Sequence, residues 1–384
     1  MPPRGAIGLV AATTVVLGLV PVLAAAPAAH AAPKRLVVRA GESIQAAVDR
    51  AAPGDDIYVE PGVYRGSVQI TVPRLTLRGA GPGTVIAPSA AGTENACARA
   101  GHGLCVTGTA DHRANDVRLG HLTVAGFKKN GVNATRADRI EVRGLTARDN
   151  GQQGISLEQS VQGRFVGNES ENNGESGIFI ANYVNAEGGA LDTDGALVRD
   201  NRLVGNRIGL VLRRLRDLVV ENNHITDNCG GVFVVGDEGR PQAGDLTVRR
   251  NLVAENNHYC VSPANHGLPN IQGVGILLTG AADVLVEGNS VLGNVSTGTA
   301  GTATGPALKA SPMAGGIVLY ASNAPGTHNT GNTIRNNLAL GNAPADLADR
   351  DSGGSGSSGS SGTTLAANTF TGNRCHISEP TGWC

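Results

Sequence analysis

Short apolar runs with a two-residue alternation repeat along most of the chain. One run consists of a glycine followed by an apolar, a variable and a second apolar residue. Its copies begin at Gly154, Gly177, Gly209, Gly231, Gly275 and Gly316. Another short run, such as Leu218-Val219-Val220, precedes an asparagine. Alternation with a period of two predicts β-strands with one buried face, and no amphipathic helix interrupts these units.

Pairs of asparagines separated by four residues mark the same repeat. The pairs are Asn168/Asn173, Asn201/Asn206, Asn223/Asn228, Asn251/Asn256, Asn289/Asn294, Asn337/Asn342 and Asn368/Asn373. The shortest step between glycine runs is 22 residues, from Gly209 to Gly231. Three short strands in such a unit predict a parallel β-helix. We expect the asparagines at its bends, where Asn tolerates the left-handed conformation and can hydrogen-bond to the next coil, as an architectural ladder and not as ligands.

The N-terminal part of the repeat region has the features of a cap. Residues 43–51 predict a short helix with Ser43 as its N-cap, and Pro-Gly turns and short strands follow. The stretch SIQAAVDRAAPGDDIYVEPGVYRGSVQI resembles the opening of proteins of the pectin-lyase-like superfamily. The later GIxL and VENNHITDN units resemble the parallel β-helix repeats of that group. The resemblance implies an all-β, right-handed, single-stranded parallel β-helix with three strands per coil and a capping helix, and it leaves the activity open.

The first 31 residues have the pattern of a secretory signal peptide. Arg4 precedes an apolar run over residues 6–23, and Ala29-His30-Ala31 has the small residues of a cleavage site. The alternative is a retained membrane anchor. We predict a secreted protein without a membrane span after signal removal. Its single domain would cover residues 32–384, with 32–80 as the cap and first coils and 351–362 as a flexible Gly/Ser insertion.

Composition narrows the class of partner. The 31 basic and 32 acidic residues give a formal net charge of −1, so the chain lacks the basic surplus of a strong nucleic-acid binder. Apolar residues make up 40% of the chain against 16% charged residues, which excludes an acidic disordered tail. We therefore expect no nucleic-acid partner.

The six cysteines fit three disulfides better than a metal site, because no Cys-x-x-Cys spacing occurs. Cys229 and Cys260 fall at the same bend of successive coils, and neighbouring strands lie within disulfide reach. The pairs Cys97/Cys105 and Cys375/Cys384 are close in sequence and would clip a loop and the C-terminus.

One outward row of the predicted glycine-run wall is apolar. It comprises Phe179, Val211, Phe233, Leu277 and Val318. Long insertions flank this wall at residues 182–195, 236–244, 258–273, 295–315 and 321–331. Either these loops cover the row or a ligand lies along it. The aromatic residues of the wall and its loops, which would stack on sugar rings or cover the row themselves, are Phe179, Tyr183, Phe233, Tyr259 and Tyr320.

Few polar residues of this wall could carry chemistry. Glu158 and Arg213 point outward on either side of Ala181, and His258 lies in a nearby loop. Chemistry on a uronate needs a cation to neutralise the carboxylate and a base to remove the neighbouring proton, so these three residues are candidate catalytic groups. Asp192, Asp194 and Asp237 could hold calcium through oxygen ligands. A glycoside hydrolase would instead pair Glu158 with Asp192 or Asp237.

Family motifs do not identify a reaction. Asp192-Thr193-Asp194 is similar to part of the polygalacturonase pattern, but the His-Gly element precedes it and no Arg-x-Lys follows. The Asp-Pro-His motif of alginate epimerases is absent. We predict a secreted protein that binds an extracellular, acidic polysaccharide; if it is also an enzyme, we expect a lyase or a C5-epimerase rather than a glycoside hydrolase. The alternative is a non-catalytic surface, adhesion or assembly module.

Overall fold

Each coil of the chain contributes one strand to each of three parallel sheets, which enclose a single apolar core. The computed structural model describes residues 32–91, 95–183, 188–236, 239–262, 270–298, 310–322, 327–351 and 366–384. The predicted signal peptide, residues 352–362 of the Gly/Ser insertion and Asp237 lie outside these ranges. Residues Pro33–Cys384 form one compact unit. No helix in the described ranges is both long and apolar enough to cross a membrane.

We name the sheets wall 1, wall 2 and wall 3 in the order in which a coil visits them. Wall 1, which includes the glycine-run strands, contains Val68–Ile70, Leu104–Thr107, Val132–Thr135, Ile155–Glu158, Ser176–Ala181, Ile208–Arg213, Gly230–Val235, Val274–Thr279, Gly315–Tyr320, Leu347–Arg350 and Ser378–Glu379. Wall 2 contains Arg35–Val38, Asp56–Val59, Thr76–Gly79, Arg118–Gly120, Glu141–Arg143, Arg164–Val166, Leu191–Arg199, Leu215–Glu221, Ala243–Arg249, Ala281–Ala282, Leu285–Glu287, Thr333–Arg335 and Thr369–Thr371. Wall 3 contains Gly62–Arg65, Thr84–Ala87, Thr123–Ala125, Thr146–Arg148, Glu169–Glu171, Arg202–Val204, His224–Thr226, Leu252–Ala254, Ser290–Leu292 and Leu338–Leu340.

The remaining elements are two short helices and one small strand pair. The helices are Ile44–Arg50 and Ala96–Ala100, and strand Ala114–Asn115 pairs with Ala137–Asp138. The predicted cap helix is confirmed. Its N-cap Ser43 accepts a hydrogen bond from the Ala46 N–H at 3.2 Å. Its apolar face buries Ile44, Ala47 and Val48 in the core of the first coils.

The two-residue alternation determines which side chains fill the core. On wall 1, Ile155 and Leu157 point inward and are 0% and 1% exposed. Their neighbours in the next coil, Ile178 and Ile180, occupy the same register and are equally buried. Because the register continues from coil to coil, an outward row of side chains also runs the length of each wall.

The asparagine pairs form two internal ladders, as predicted. The first asparagines of successive pairs make the first ladder, and the second asparagines make the second ladder. The Asn223 carboxamide oxygen accepts from both the backbone N–H and the Nδ2 of Asn201, each at 2.9 Å. Asn223 in turn donates in the same way to Asn251. One point of the prediction is wrong, because the left-handed residue precedes the asparagine. Asp200, with φ 57°, turns the chain so that Asn201 can point inward.

The last pair lies one corner away from the predicted place. Asn373 accepts from Asn337 and so continues the first ladder. Asn368 accepts from Asn332 at the corner between wall 1 and wall 2. The second ladder ends instead at Asp346, whose Oδ1 accepts from the N–H and Nδ2 of Asn342. The other carboxylate oxygen of Asp346 accepts the N–H groups of His376 and Ile377.

Corner lengths decide where loops can gather. The corner between walls 2 and 3 is tight in the asparagine-containing coils, as at Gly167-Asn168. We call the corner between walls 1 and 2 the first corner and the corner between walls 3 and 1 the third corner. Long connections leave wall 1 at the first corner, over residues 182–190, and enter it at the third corner, over residues 255–273. The predicted disulfides Cys97–Cys105, Cys229–Cys260 and Cys375–Cys384 are confirmed.

Candidate functional site

Two outward rows of wall 1 carry the candidate residues. The central row runs through Gln69, Cys105, Asn133, Ser156, Phe179, Val211, Phe233, Leu277, Val318, Ala348 and Glu379. The edge row, next to the first corner, runs through Thr107, Thr135, Glu158, Ala181, Arg213, Val235, Thr279, Tyr320 and Arg350. Consecutive positions in a row lie about 4.8 Å apart, the spacing of neighbouring strands.

The apolar part of the central row is covered by the protein itself. Phe179 and Phe233 are 8% and 6% exposed, and they belong to one buried cluster with Cys229, Ile271 and Met313. The Phe233 ring lies so close to Gly230 that a Cβ there would stand 2.6 Å from its Cε1 atom. Sugar stacking on either phenylalanine would therefore require the covering segments to move.

The three tyrosines of the predicted sugar-binding set are half-buried and lie in three different places. Tyr183 follows wall 1 at the first corner, and its ring packs against Gly188. Tyr259 lies at the third corner, where its hydroxyl accepts from Asn270 Nδ2 at 2.6 Å. Tyr320 lies on the edge row. The structure does not gather them on one surface, and their role in stacking stays a prediction.

Glu158 and Arg213 occupy the predicted positions on the edge row. In register, each flanks Ala181, which is 1% exposed. Two strand spacings place their backbones about 10 Å apart. Both side chains are half-buried, and each has at least one partner within the protein. The row thus presents a carboxylate and a guanidinium on the same edge with a small residue between them.

His258 lies away from this pair. It follows Asn256 and Asn257 at the third corner, whereas the edge row adjoins the first corner. Its side chain is 65% exposed, and its Nε2 lies 3.9 Å from Asp227 Oδ1. Wall 1 therefore separates His258 from Glu158 and Arg213.

The predicted calcium ligands lie at the start of a wall 2 strand. The Asp194 N–H donates to Asp192 Oδ1 at 2.9 Å, and Gln162 Nε2 donates to Asp194 Oδ2. The described ranges contain no group of three or more His, Cys, Asp or Glu side chains arranged to hold a metal ion. Asp237 lies outside the described residues. Calcium binding stays a prediction.

A histidine–carboxylate pair at the first corner has no counterpart in the sequence prediction. His328 Nδ1 lies 2.8 Å from Asp351 Oδ1, and the Asp351 side chain is 1% exposed. Asp351 Oδ2 accepts from the N–H and Nδ2 of Asn329 at 2.7 and 3.0 Å. A carboxylate that holds Nδ1 fixes the ring and leaves Nε2 as the nitrogen for proton transfer. No repeat or motif links these residues, so the sequence carried no signal for the pair.

The polar part of the central row has its own hydrogen-bond support. Asn133 Oδ1 accepts from Asn130 Nδ2 at 2.8 Å, which ties wall 1 to the third corner. Asn133, Thr135, Ser156 and Glu158 occupy neighbouring positions of the two rows. We call these four residues the polar segment. Ser156 is 4% exposed, whereas Asn133, Thr135 and Glu158 are half-buried. The amide, hydroxyl and carboxylate groups of these last three residues are of the kind that hydrogen-bond to sugar hydroxyls.

Comparison with known proteins gives the fold context of this wall. The chain is similar to the mannuronan C-5 epimerase AlgE6 A-module of Azotobacter vinelandii, with 19% identity, a TM-score of 0.54 and coverage of 88% of this chain and 91% of that chain. The AlgE4 A-module of the same organism gives 17% identity, a TM-score of 0.52 and coverage of 88% and 93%. A catalytic domain of a GH87 alpha-1,3-glucanase in complex with nigerose gives 12% identity, a TM-score of 0.53 and coverage of 92% and 67%. At these identities the likeness shows the fold alone.

No curated protein sequence matches the chain. The family model described as "Right handed beta helix region" matches residues 62–188 and 184–272, which together make up more than half of the chain. The predicted handedness and the predicted membership of the right-handed parallel β-helix proteins are thereby confirmed. The chain belongs to the right-handed β-helix family.

Proposed function

We propose that the protein is secreted and binds an extracellular acidic polysaccharide along the outer rows of wall 1. The observation that carries this proposal is the edge row, on which Arg213 lies two strand spacings from Glu158 of the polar segment. A polymer with regularly repeated hydroxyl and carboxylate groups can contact successive coils in the same way. The three disulfides fit an oxidising, extracytoplasmic setting.

The solved structures of similar fold support this class of ligand. Two of them are A-modules of mannuronan C-5 epimerases and one is a glucanase catalytic domain in complex with nigerose, and the similarity to each covers at least 88% of this chain. Fold likeness does not transfer a reaction, so the proposal depends on the residues of wall 1.

If the bound polymer is also processed, the edge row supplies a lyase or a C5-epimerase better than a hydrolase. The Arg213 guanidinium would pair with a uronate carboxylate and favour loss of the proton beside it. Glu158 would accept that proton. Elimination would then break the C4–O glycosidic bond and form a C4–C5 double bond, while the departing oxygen takes up the proton from Glu158; this gives a lyase. Return of a proton from water to C5 on the opposite face of the ring would give an epimerase. Calcium held by Asp192 and Asp194 would serve as a further carboxylate clamp.

Binding and chemistry are tested separately. Binding of the protein without residues 1–31 to polyuronate, sulfated and neutral polysaccharides is measured by calorimetry. The ultraviolet absorbance of unsaturated ends, with calcium and then with a chelator, reports lyase activity, and NMR of recovered polymer reports epimerisation. We expect Arg213→Ala to weaken polyuronate binding about ten-fold, the effect of losing one charge-assisted contact. Arg164→Ala, on the exposed face of wall 2, is the control and should leave binding unchanged. Absence of binding to every polymer would refute the proposal.

A non-catalytic module is the second candidate. The covered apolar half of the central row favours it, because that half offers no open groove in the described residues. Retained binding without change in any polymer would establish this candidate and remove the enzymatic one.

A further inference from the structure

A cationic cleft lies at the third corner of the N-terminal coils, where the sequence analysis placed no site. Its volume is about 540 Å³. Its lining includes Phe127 and three cationic residues, Arg99, Lys128 and Lys129, and no lining residue is acidic. The chain has only four lysines, and two of them stand side by side here.

Both sides of the cleft are fixed to the core. The short helix Ala96–Ala100 is attached to wall 1 by the Cys97–Cys105 disulfide. Its N-cap Asn95 accepts from the Ala98 N–H at 2.9 Å and donates from Nδ2 to the Ser67 carbonyl at 2.9 Å. These contacts hold one side of the cleft in a single position.

The opposite side of the cleft is formed by the segment from Phe127 to Asn130. Phe127 is 4% exposed, and its N–H donates to Asn150 Oδ1 at 3.1 Å. Asn150 in turn donates to Asn173 of the second ladder, so this ladder anchors the segment. The Lys129 N–H donates to the Gly101 carbonyl at 2.8 Å and joins the two sides. The lysine side chains are thus presented by rigid backbone, which reduces the entropy lost when they bind a ligand.

The charge of the cleft acts on a neighbouring imidazole. Burial, and after it the positive charge of Lys129, lowers the pKa of His102 to about 4. His102 is therefore neutral at neutral pH. Its Nδ1 accepts the Asn130 N–H at 3.2 Å, so Nε2 carries the proton. The imidazole of His102 therefore adds no charge to the cleft. The cations of the cleft have no acidic partner among the lining residues.

The cleft borders the polar segment of wall 1. Asn130, which follows the two lysines directly, donates from its side chain to Asn133 on the central row. A polymer lying on the polar segment would therefore pass the rim of the cleft. This continuity distinguishes the cleft from an isolated basic patch.

We propose that the cleft is a subsite that binds the carboxylate of an acidic sugar unit, with Lys128 and Lys129 as the binding cations. The inference rests on the proposed function and adds the position of charge recognition to it. Arg99 lines the same cleft and has a further partner in the protein, so the two lysines carry the test.

The test compares two charge-matched double variants. Lys128→Gln/Lys129→Gln removes the cleft cations, whereas Arg50→Gln/Arg164→Gln removes two exposed cations elsewhere. Calorimetry measures binding to polygalacturonate, a sulfated glycan and a neutral glucan at low and high salt, with thermal unfolding as the check on folding. We expect the cleft variant to bind polygalacturonate at least about ten-fold more weakly and to lose much of the salt dependence, with the control unchanged.

The outcomes separate the cleft from the function as a whole. If the wild-type protein binds polygalacturonate and both double variants bind it equally well, the cleft proposal is wrong and the proposed function stands. If the wild-type protein prefers the sulfated glycan and the cleft variant loses that preference, the cleft binds anions, but carboxylate recognition is wrong. Binding of the neutral glucan alone overturns the cleft proposal. Binding of no polymer overturns the proposed function, and this inference with it.

Discussion

The two halves of the central row on wall 1 differ although they occupy the same position of the same repeat. In the N-terminal half, the row carries polar side chains: Asn133 is half-buried and accepts from Asn130, and Ser156 is buried beside Glu158. Phe179, Phe233 and Val318 in the C-terminal half lie in a buried cluster under residues of the third-corner loops. The strand geometry is the same in both halves, so the difference comes from what lies over the wall.

This difference shows how a regular solenoid produces an irregular surface. Burial of a large apolar side chain contributes about 1.5–3 kcal/mol, so the C-terminal half of the row stabilises the loops that cover it. The polar residues of the N-terminal half lack that gain, and Asn133 stays half-buried beside Thr135 and Glu158 of the edge row. The covered residues of the central row thus contribute to stability, whereas the proposed binding residues lie in the polar segment and at Arg213 on the edge row.

Removal of a covered aromatic ring should have the largest effect on the free energy of unfolding. Phe233→Ala deletes a 6% exposed side chain from the cluster and should lower the free energy of unfolding by about 3–5 kcal/mol. Thr135→Ala, at a half-buried position of the polar segment, should change it by less than about 1 kcal/mol. Urea denaturation of both variants measures the two values. Equal losses would show that the halves do not differ in their contribution to stability.

Opening the cover is the next largest change. Cys229→Ala/Cys260→Ala removes the link that holds the third-corner loop over the row and should cost about 2–4 kcal/mol. It should also expose the cluster to a hydrophobic dye such as ANS. Cys375→Ala/Cys384→Ala, at the C-terminus, is the matched control and should leave dye binding unchanged. Dye binding that rises equally in both variants would contradict a specific cover.

A smaller effect concerns the pH dependence of stability, which involves His102 in the N-terminal coils. The pKa of His102 falls from 6.5 to about 4 on folding, so the unfolded chain binds a proton more readily than the folded protein. The stability that depends on the neutral imidazole is complete above pH 6.5 and is lost as the pH falls toward 4. The wild-type melting temperature should therefore drop more over this range than that of His102→Gln. Parallel pH profiles would contradict a neutral, buried His102.

Much of the fold could be predicted because each coil repeats the same constraints. The glycine runs place Glu158, Ala181 and Arg213 on one edge row once the register is known. The phase of the last Asn pair could not be predicted. Asn332, Asn337 and Asn342 are equally spaced at three successive corners, so the spacing alone does not say which corner an isolated pair occupies.

The candidate site was less predictable because its contacts cross between loops. The covered state of Phe179 depends on the path of the third-corner segments, which have no period. His328 and Asp351 are 23 residues apart and meet only because two successive coils stack. The cationic cleft likewise joins residues near position 99 to residues 128 and 129 across one coil. Such pairings follow from tertiary packing and leave no pattern in the local sequence.

The Asp346 carboxylate ends the second asparagine ladder and so limits how many coils this ladder can join. Each amide both accepts from the coil before it and donates back to a carbonyl, as Asn342 does to Val291. A coil carrying Asn can therefore be duplicated inside the stack without leaving any group unpaired. Asp346 accepts but cannot donate, so it fits only at the last position. Duplication of an inner coil could therefore lengthen the stack, whereas Asp346 marks the coil after which the second ladder cannot be extended.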